Sequence, residues 1–353
     1  MVCIILIIYS YHSSFAIEST PIDEYYLEDI GGIKQAIVIR GANVHNPVMI
    51  RLHGGPGYPY FPYLPKEGKL KDIEEHFTMV YWEQRGTGAS YSRRIKKISM
   101  NIDQFVEDAH EVIEFTKNKL HVNKVFIWGH SWGSNIGVLL VKKYPGDVFA
   151  YVGTGQSVFP FENERSCYQY ALEKTFIENN LKGLKELKRI DSTHYDLRDA
   201  LTVRKWIYSY GGVVLSSGEE RSYVDEKMIK KIWKTPQYNF RNKVNIILHP
   251  YFSGRQLWEE MKDINLFQDA PVLEVPVYFL LGRYDQIVSS AIAAEYFDVL
   301  QAPKGKQLIW FDHSAHRPHI EEPDKFFHLL VEKILPETYK EEYNPNPSVA
   351  EHE

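Results

Sequence analysis

One stretch narrows the fold more than any other. Lys124–Trp128 is a short apolar run that leads straight into Gly129-His130-Ser131-Trp132-Gly133, and Ser134 to Tyr144 then reads as a helix stopped by Pro145. A Gly-x-Ser-x-Gly pattern alone is weak. Between a buried strand and a helix it is specific, because so tight a turn needs small flanking residues to hold the Ser131 hydroxyl clear of the backbone.

The rest of the chain fits around this segment. Val48–Leu52, Thr78–Trp82, Val148–Val152, Val277–Leu281 and Gln307–Phe311 are further apolar runs without clean alternation, as expected of parallel strands buried on both faces. Ahead of them, Tyr25–Ile30 and Ile33–Arg40 flank Gly31-Gly32, which reads as a two-residue hairpin turn. Asn101 is placed to cap a crossover helix with Ile102, Phe105, Val106, Ala109, Val112 and Ile113 on one face and Gln104 at the capping-box position. Strand and helix alternate up to residue 156 and again from 271. Between them, residues 157–270 hold charged helical segments, Glu162–Arg189, Asp199–Tyr210 and Glu219–Trp233, and no strong strand. The expected architecture is therefore α/β, a mostly parallel central sheet flanked by helices, with a core of residues 25–156 and 271–335 and an inserted helical lid over 157–270. Residues 336–353, acidic and poor in aliphatic side chains, read as a loose tail.

Composition removes several function classes. With 41 Lys and Arg against 46 Asp and Glu, the net charge of −5 does not suit a nucleic-acid binder. The two cysteines, Cys3 and Cys167, make no disulfide framework, and no Cys/His cluster has zinc spacing, so neither metal nor cofactor is expected. Within the N-terminal 1–24, Val2–Tyr9 is apolar and is followed by Ser-rich residues ending Ser14-Phe15-Ala16, with small residues at the positions a signal peptidase reads, but no Lys or Arg precedes the run. It reads either as a short export signal or as an apolar tail on a cytoplasmic protein, and it is too short to span a bilayer, which takes about 20 residues.

A serine hydroxyl needs a base to accept its proton and a carboxylate to orient that base. Strand Val277–Leu281 ends in Gly282-Arg283-Tyr284-Asp285, and Gln307–Phe311 ends in Asp312-His313-Ser314-Ala315-His316, so Asp285 is the candidate acid. His316 is favoured as base over His313 and His319. After Val48–Leu52 comes His53-Gly54-Gly55-Pro56-Gly57, whose glycines leave backbone N–H groups open; Gly55 and Trp132 are the expected oxyanion donors.

Together with Trp82-Glu83-Gln84-Arg85-Gly86-Thr87-Gly88-Ala89-Ser90, these motifs resemble the proline iminopeptidase branch of the α/β-hydrolases over roughly residues 35–155 and 272–335. Ser314-Ala315-His316, with Glu321 and Pro323, is similar to that family's histidine segment and supports His316. The resemblance implies a serine hydrolase releasing N-terminal proline, or a similar small residue, from short peptides. It also implies that Gln84 and Arg85 are structural, and Glu83 departs from the Asp common there. In the lid, the family's carboxylates hold the substrate's free amine; Glu162 and Glu164 are the candidates here, with Phe159 and Phe161 as apolar lining. The alternative is an esterase or amidase acting on small acyl compounds. A dehalogenase is disfavoured because Ser131 stands where that chemistry needs a carboxylate.

Overall fold

Eight strands form one sheet in the computed structural model, which describes residues 19–191, 195–215 and 226–339. The export-signal reading, Cys3 and the tail beyond Tyr339 lie outside the described residues. The strands are β1 (Ile22–Ile30), β2 (Ile33–Gly41), β3 (Val48–Leu52), β4 (Thr78–Glu83), β5 (Val125–His130), β6 (Val148–Thr154), β7 (Val277–Gly282) and β8 (Lys306–Phe311). Their order is β1-β2-β4-β3-β5-β6-β7-β8. β1 and β2 form an antiparallel hairpin closed at Ile30 and Ile33, where Gly31 and Gly32 both adopt positive φ, and β2 runs antiparallel to β4. From β4 to β8 every pairing is parallel, so the carboxyl ends of β3, β5, β7 and β8 share one edge. This is the α/β-hydrolase fold.

Every residue of β3, β4, β5 and β7 is buried, which is why these runs lack alternation. β8 differs from the expectation. It is the last strand, paired on one side only, and of its residues only Phe311 is fully buried. One apolar cluster fills each side of the sheet. Helix α1 (Ile102–Leu120) buries the six apolar positions expected of it, and Asn101 caps it by accepting the Gln104 backbone N–H at 2.8 Å. The Gln104 side chain does not complete a capping box; it turns to Asp108 Oδ1 at 2.9 Å, drawn by a buried ion pair. There Arg85 donates to both Asp108 oxygens at 2.8 Å, and neither side chain is exposed to solvent.

Helix α2 (Trp132–Lys143) follows β5. Between β6 and β7 the described residues are helical, including α3 (Pro160–Ile177), α4 (Leu181–Leu187) and α5 (Leu197–Ser209). The helical segment Glu162–Arg189 is built of two helices. Asn179 adopts φ 51° and Asn180 caps α4 by accepting the Gly183 N–H at 3.0 Å, so the chain turns there. These helices share a small core of Cys167, Ala171, Leu187, Val203, Trp206 and Ile207, joined to Ile287 and Val288 of the loop after β7. The start of the expected loose tail is also corrected: residues 336–338 belong to the helical turn Leu335–Thr338, anchored where Glu337 accepts the Tyr278 hydroxyl at 3.0 Å. Among the described residues no helix is long and apolar enough to cross a membrane.

Candidate active site

Ser131 sits between β5 and α2 with φ 55° and ψ −126°. For a non-glycine residue that conformation costs about 1–3 kcal/mol, so the surroundings must hold it. They do so through three bonds: Ser131 N–H to Thr154 O at 3.1 Å, and the Ser134 N–H and hydroxyl to Ser131 O at 2.8 and 2.6 Å. Gly133 is obligatory because a Cβ there would lie 2.1 Å from Leu52 O, forcing α2 away from β3.

Asp285 and His316, from the ends of β7 and β8, are brought together. His316 Nδ1 lies 2.8 Å from Asp285 Oδ2, and the residues are 5% and 3% exposed. Asp285 Oδ1 accepts the N–H groups of Ile287 and Val288, both at 2.9 Å. Backbone contacts also fix the histidine: His316 N–H donates to Val213 O at 3.0 Å, and Ala315 N–H to Glu321 Oε2 at 2.9 Å. No hydrogen bond joins Ser131 Oγ to His316. His313 is exposed, and its backbone N–H is held by Glu322.

Residues His53–Gly57 lie against the serine turn. A Cβ on Gly54 would come 3.1 Å from Ser131 Cβ. Gln84 ties the two segments: its backbone N–H donates to His53 Nε2 at 3.1 Å, its amide nitrogen to His53 O at 2.9 Å, and its amide oxygen accepts Trp132 Nε1–H at 2.9 Å. Since His53 Nε2 accepts, Nδ1 carries the proton and donates to Gly54 O at 2.8 Å. Burial pushes the His53 imidazole down from its ordinary 6.5 to about 4. Trp132 opens helix α2, so its backbone N–H has no intrahelical partner.

A row of rings behind His316 was not foreseen. His130 lies 4.8 Å from His316 and 4.8 Å from His319 between ring centroids, and His319 Nε2 is 3.2 Å from Arg51 Nη2. Burial holds His130 and His319 well below the ordinary imidazole range. The Arg51 guanidinium carbon lies 3.5 Å over Trp128, replacing a carboxylate partner with a ring face. A buried Arg in an otherwise apolar strand, with His at positions 130 and 319, was the available sequence signal.

The lid candidates are placed less favourably. On α3, Asn163, Glu164 and Cys167 face inward, whereas Phe161 and Arg165 are exposed and Glu162 is only part-buried. Glu162 binds Arg165 through both oxygens at 2.9 Å. Glu164 is buried, but its carboxylate is taken by Arg204 and by the Tyr195 hydroxyl at 3.1 Å. Phe159 and Phe161 line an open groove of about 550 Å³ with Glu259, Lys262 and Asp263, and Ser131, Asp285 and His316 are absent from it. Phe161 is 46% exposed, whereas Phe159 is part-buried and packs against the main core. Among the described residues one cluster has metal-capable ligands, His110, Glu114 and Asp147, but Lys117 already bonds both carboxylates at 2.7 Å.

Residues 73–324 match the family described as serine aminopeptidase, S33. The chain belongs to that family. Among its relatives, the probable aminopeptidase YbaC of Bacillus subtilis (strain 168) is 33% identical over 304 residues, covering 85% of this chain and 93% of its own. A proline iminopeptidase of Heyndrickxia coagulans is 24% identical, covering 80% and 88%. Of solved structures, the proline iminopeptidase-related protein of Thermus thermophilus superposes with a TM-score of 0.59 at 17% identity, covering 90% of this chain and 98% of its own. A Bacillus megaterium epoxide hydrolase reaches 0.55 at 18%, covering 89% and 100%, so at this distance likeness speaks for the fold alone.

In this member of the family the departure at Glu83 has a visible consequence. Its Oε1 accepts the Tyr60 and Phe61 N–H groups at 3.0 and 3.2 Å and the Tyr238 hydroxyl, while Oε2 accepts Ala89 N–H at 2.7 Å. One carboxylate gathers the loop after Gly57, the Gly88 turn and, through Tyr238, the cap, the inserted helical segment between β6 and β7. Burial raises its carboxyl above the ordinary range, against the pull of these donors.

Proposed function

We propose that this chain is a hydrolase that works through an acyl-enzyme on Ser131, with His316 as general base and Asp285 as the carboxylate that orients it, and that it releases N-terminal proline or a similar small residue from short peptides. The observation that carries the reading is the Asp285–His316 bond at the sheet edge where Ser131 is held in its strained turn. With Nδ1–H donating to Asp285, Nε2 is left to accept the Ser131 proton as Oγ attacks the substrate carbonyl carbon. Substrate binding has to close that contact, as is common for catalytic hydrogen bonds in empty sites. The oxyanion takes hydrogen bonds from the Gly55 and Trp132 N–H groups. His316 Nε2–H then protonates the departing amine, and water, activated by the same nitrogen, releases the amino acid and restores Ser131.

A second reading, an esterase or amidase without a free-amine requirement, is favoured by one observation: Glu162 and Glu164 are already paired, with Arg165 and Arg204. Rates on a prolyl arylamide and its N-acylated form separate the two. Cleavage of the free amine and not of the N-acyl compound supports the aminopeptidase; equal rates put the esterase first.

A further inference from the structure

Between the two glutamates singled out in the sequence lies Asn163, and its side chain reaches the catalytic acid's loop. Asn163 is 6% exposed. Its Oδ1 accepts the Ser289 N–H at 2.6 Å and its Nδ2 donates to Ile287 O at 2.7 Å. The two partners fix the amide's orientation, since exchanging O and N would set donor against donor and acceptor against acceptor. Ile287 is shared: its C=O binds Asn163 while its N–H binds Asp285 Oδ1 at 2.9 Å. Val288, whose N–H also binds Oδ1, lies between the two residues that Asn163 spans. One turn along α3, the Cys167 thiol lies 3.2 Å from Gln286 O and 3.3 Å from Ile287 O, so two inward positions one turn apart on this helix grip the same four-residue segment.

We propose that Asn163 is a positioning residue for Asp285: the cap helix holds the 286–289 segment in the shape that presents two N–H groups to Oδ1 and leaves Oδ2 facing His316. The inference rests on the triad reading of the preceding section. A free carboxylate in water is satisfied in any rotamer, whereas this one is buried, and apart from His316 its hydrogen-bond donors are the two N–H groups of the segment that Asn163 clamps. A shift of a fraction of an ångström there is passed to the imidazole, and misplacement of about 1 Å at a catalytic group costs up to about 10²-fold in rate. Asn163 therefore acts on catalysis through Asp285 rather than through a contact with substrate.

A double-mutant cycle on the full-length enzyme tests this, using Asn163→Ala, Asp285→Asn and the pair, with kcat, KM and Tm measured for each. Asn163→Ala is expected to lower kcat about 10- to 100-fold with KM changed less than about 3-fold, and to add less than about 2-fold to the loss already caused by Asp285→Asn. If the alanine variant does not fold, the isosteric Asn163→Asp, which keeps the acceptor for Ser289 and sets an oxygen against Ile287 O, serves in the same cycle with the same expectation. An unchanged kcat in Asn163→Ala, or the same fold-loss in both backgrounds, overturns the inference while a large loss in Asp285→Asn leaves the triad standing. An unchanged kcat in Asp285→Asn overturns both.

Discussion

His316 Nδ1 stands 2.8 Å from Asp285 Oδ2, and the other oxygen of Asp285 is occupied by two backbone N–H groups. The carboxylate therefore has one oxygen to hold itself in place and one to hold the imidazole. Asp285→Asn keeps the shape but sets an amide where the acceptor was, favouring the tautomer with the proton on Nε2. A fall in kcat of about 10⁴ with a small change in KM is expected from steady-state kinetics.

Gly155 lies close to the same imidazole. It has φ +50°, and a Cβ there would lie 2.8 Å from His316 Cε1 and Nδ1. Gly155→Ala should displace the ring and lower kcat about 10- to 100-fold, while the left-handed backbone costs about 1–2 kcal/mol of stability. Kinetics and thermal unfolding on the same preparation check both numbers.

The pair Arg85–Asp108 has no solvent exposure on either side chain. Removing one partner strands a buried charge, so Asp108→Ala should destabilise the fold by about 3–5 kcal/mol. Gln35, which donates to Asp108 Oδ2 at 2.6 Å, and Gln104 lose their acceptor too. Urea unfolding followed by tryptophan fluorescence reads the change.

Acid should unfold the protein through its buried imidazoles. His53 titrates near 4 in the folded chain against an ordinary 6.5, and His130 and His319 are displaced in the same direction, all by burial. Unfolding then takes up protons, and stability falls as pH drops from about 6.5 toward 4, by up to about 3 kcal/mol for His53 alone. Buried Glu83 and Asp108, whose carboxyls are raised, work in the opposite sense by keeping protons longer in the folded chain. In unfolding free energies measured across this range, His53→Gln should flatten the slope by about one proton.

What the sequence disclosed was what local chemistry decides. Apolar runs without alternation marked β3, β4, β5 and β7 because both their faces are covered, and the glycines around Ser131 marked the turn because backbone passes within contact there. Partner choice across the chain was not legible. Gln104 was read with Asn101, three residues away, yet its side chain serves Asp108, whose charge answers Arg85 from another element. Glu164 looked available beside the junction, but Arg204, on a different cap helix, takes it. Asn163 carried no signal beyond its neighbours, since its role exists only once α3 meets the loop after β7.

Whether Ser131 is the nucleophile is tested most directly by covalent labelling of the native enzyme with a fluorophosphonate, located by peptide mass mapping and repeated on Ser131→Ala. One adduct is expected, on Ser131, formed in step with loss of activity and absent from the variant, whose Tm stays near that of the native chain. An adduct on another residue, or undiminished turnover by Ser131→Ala, would contradict that role.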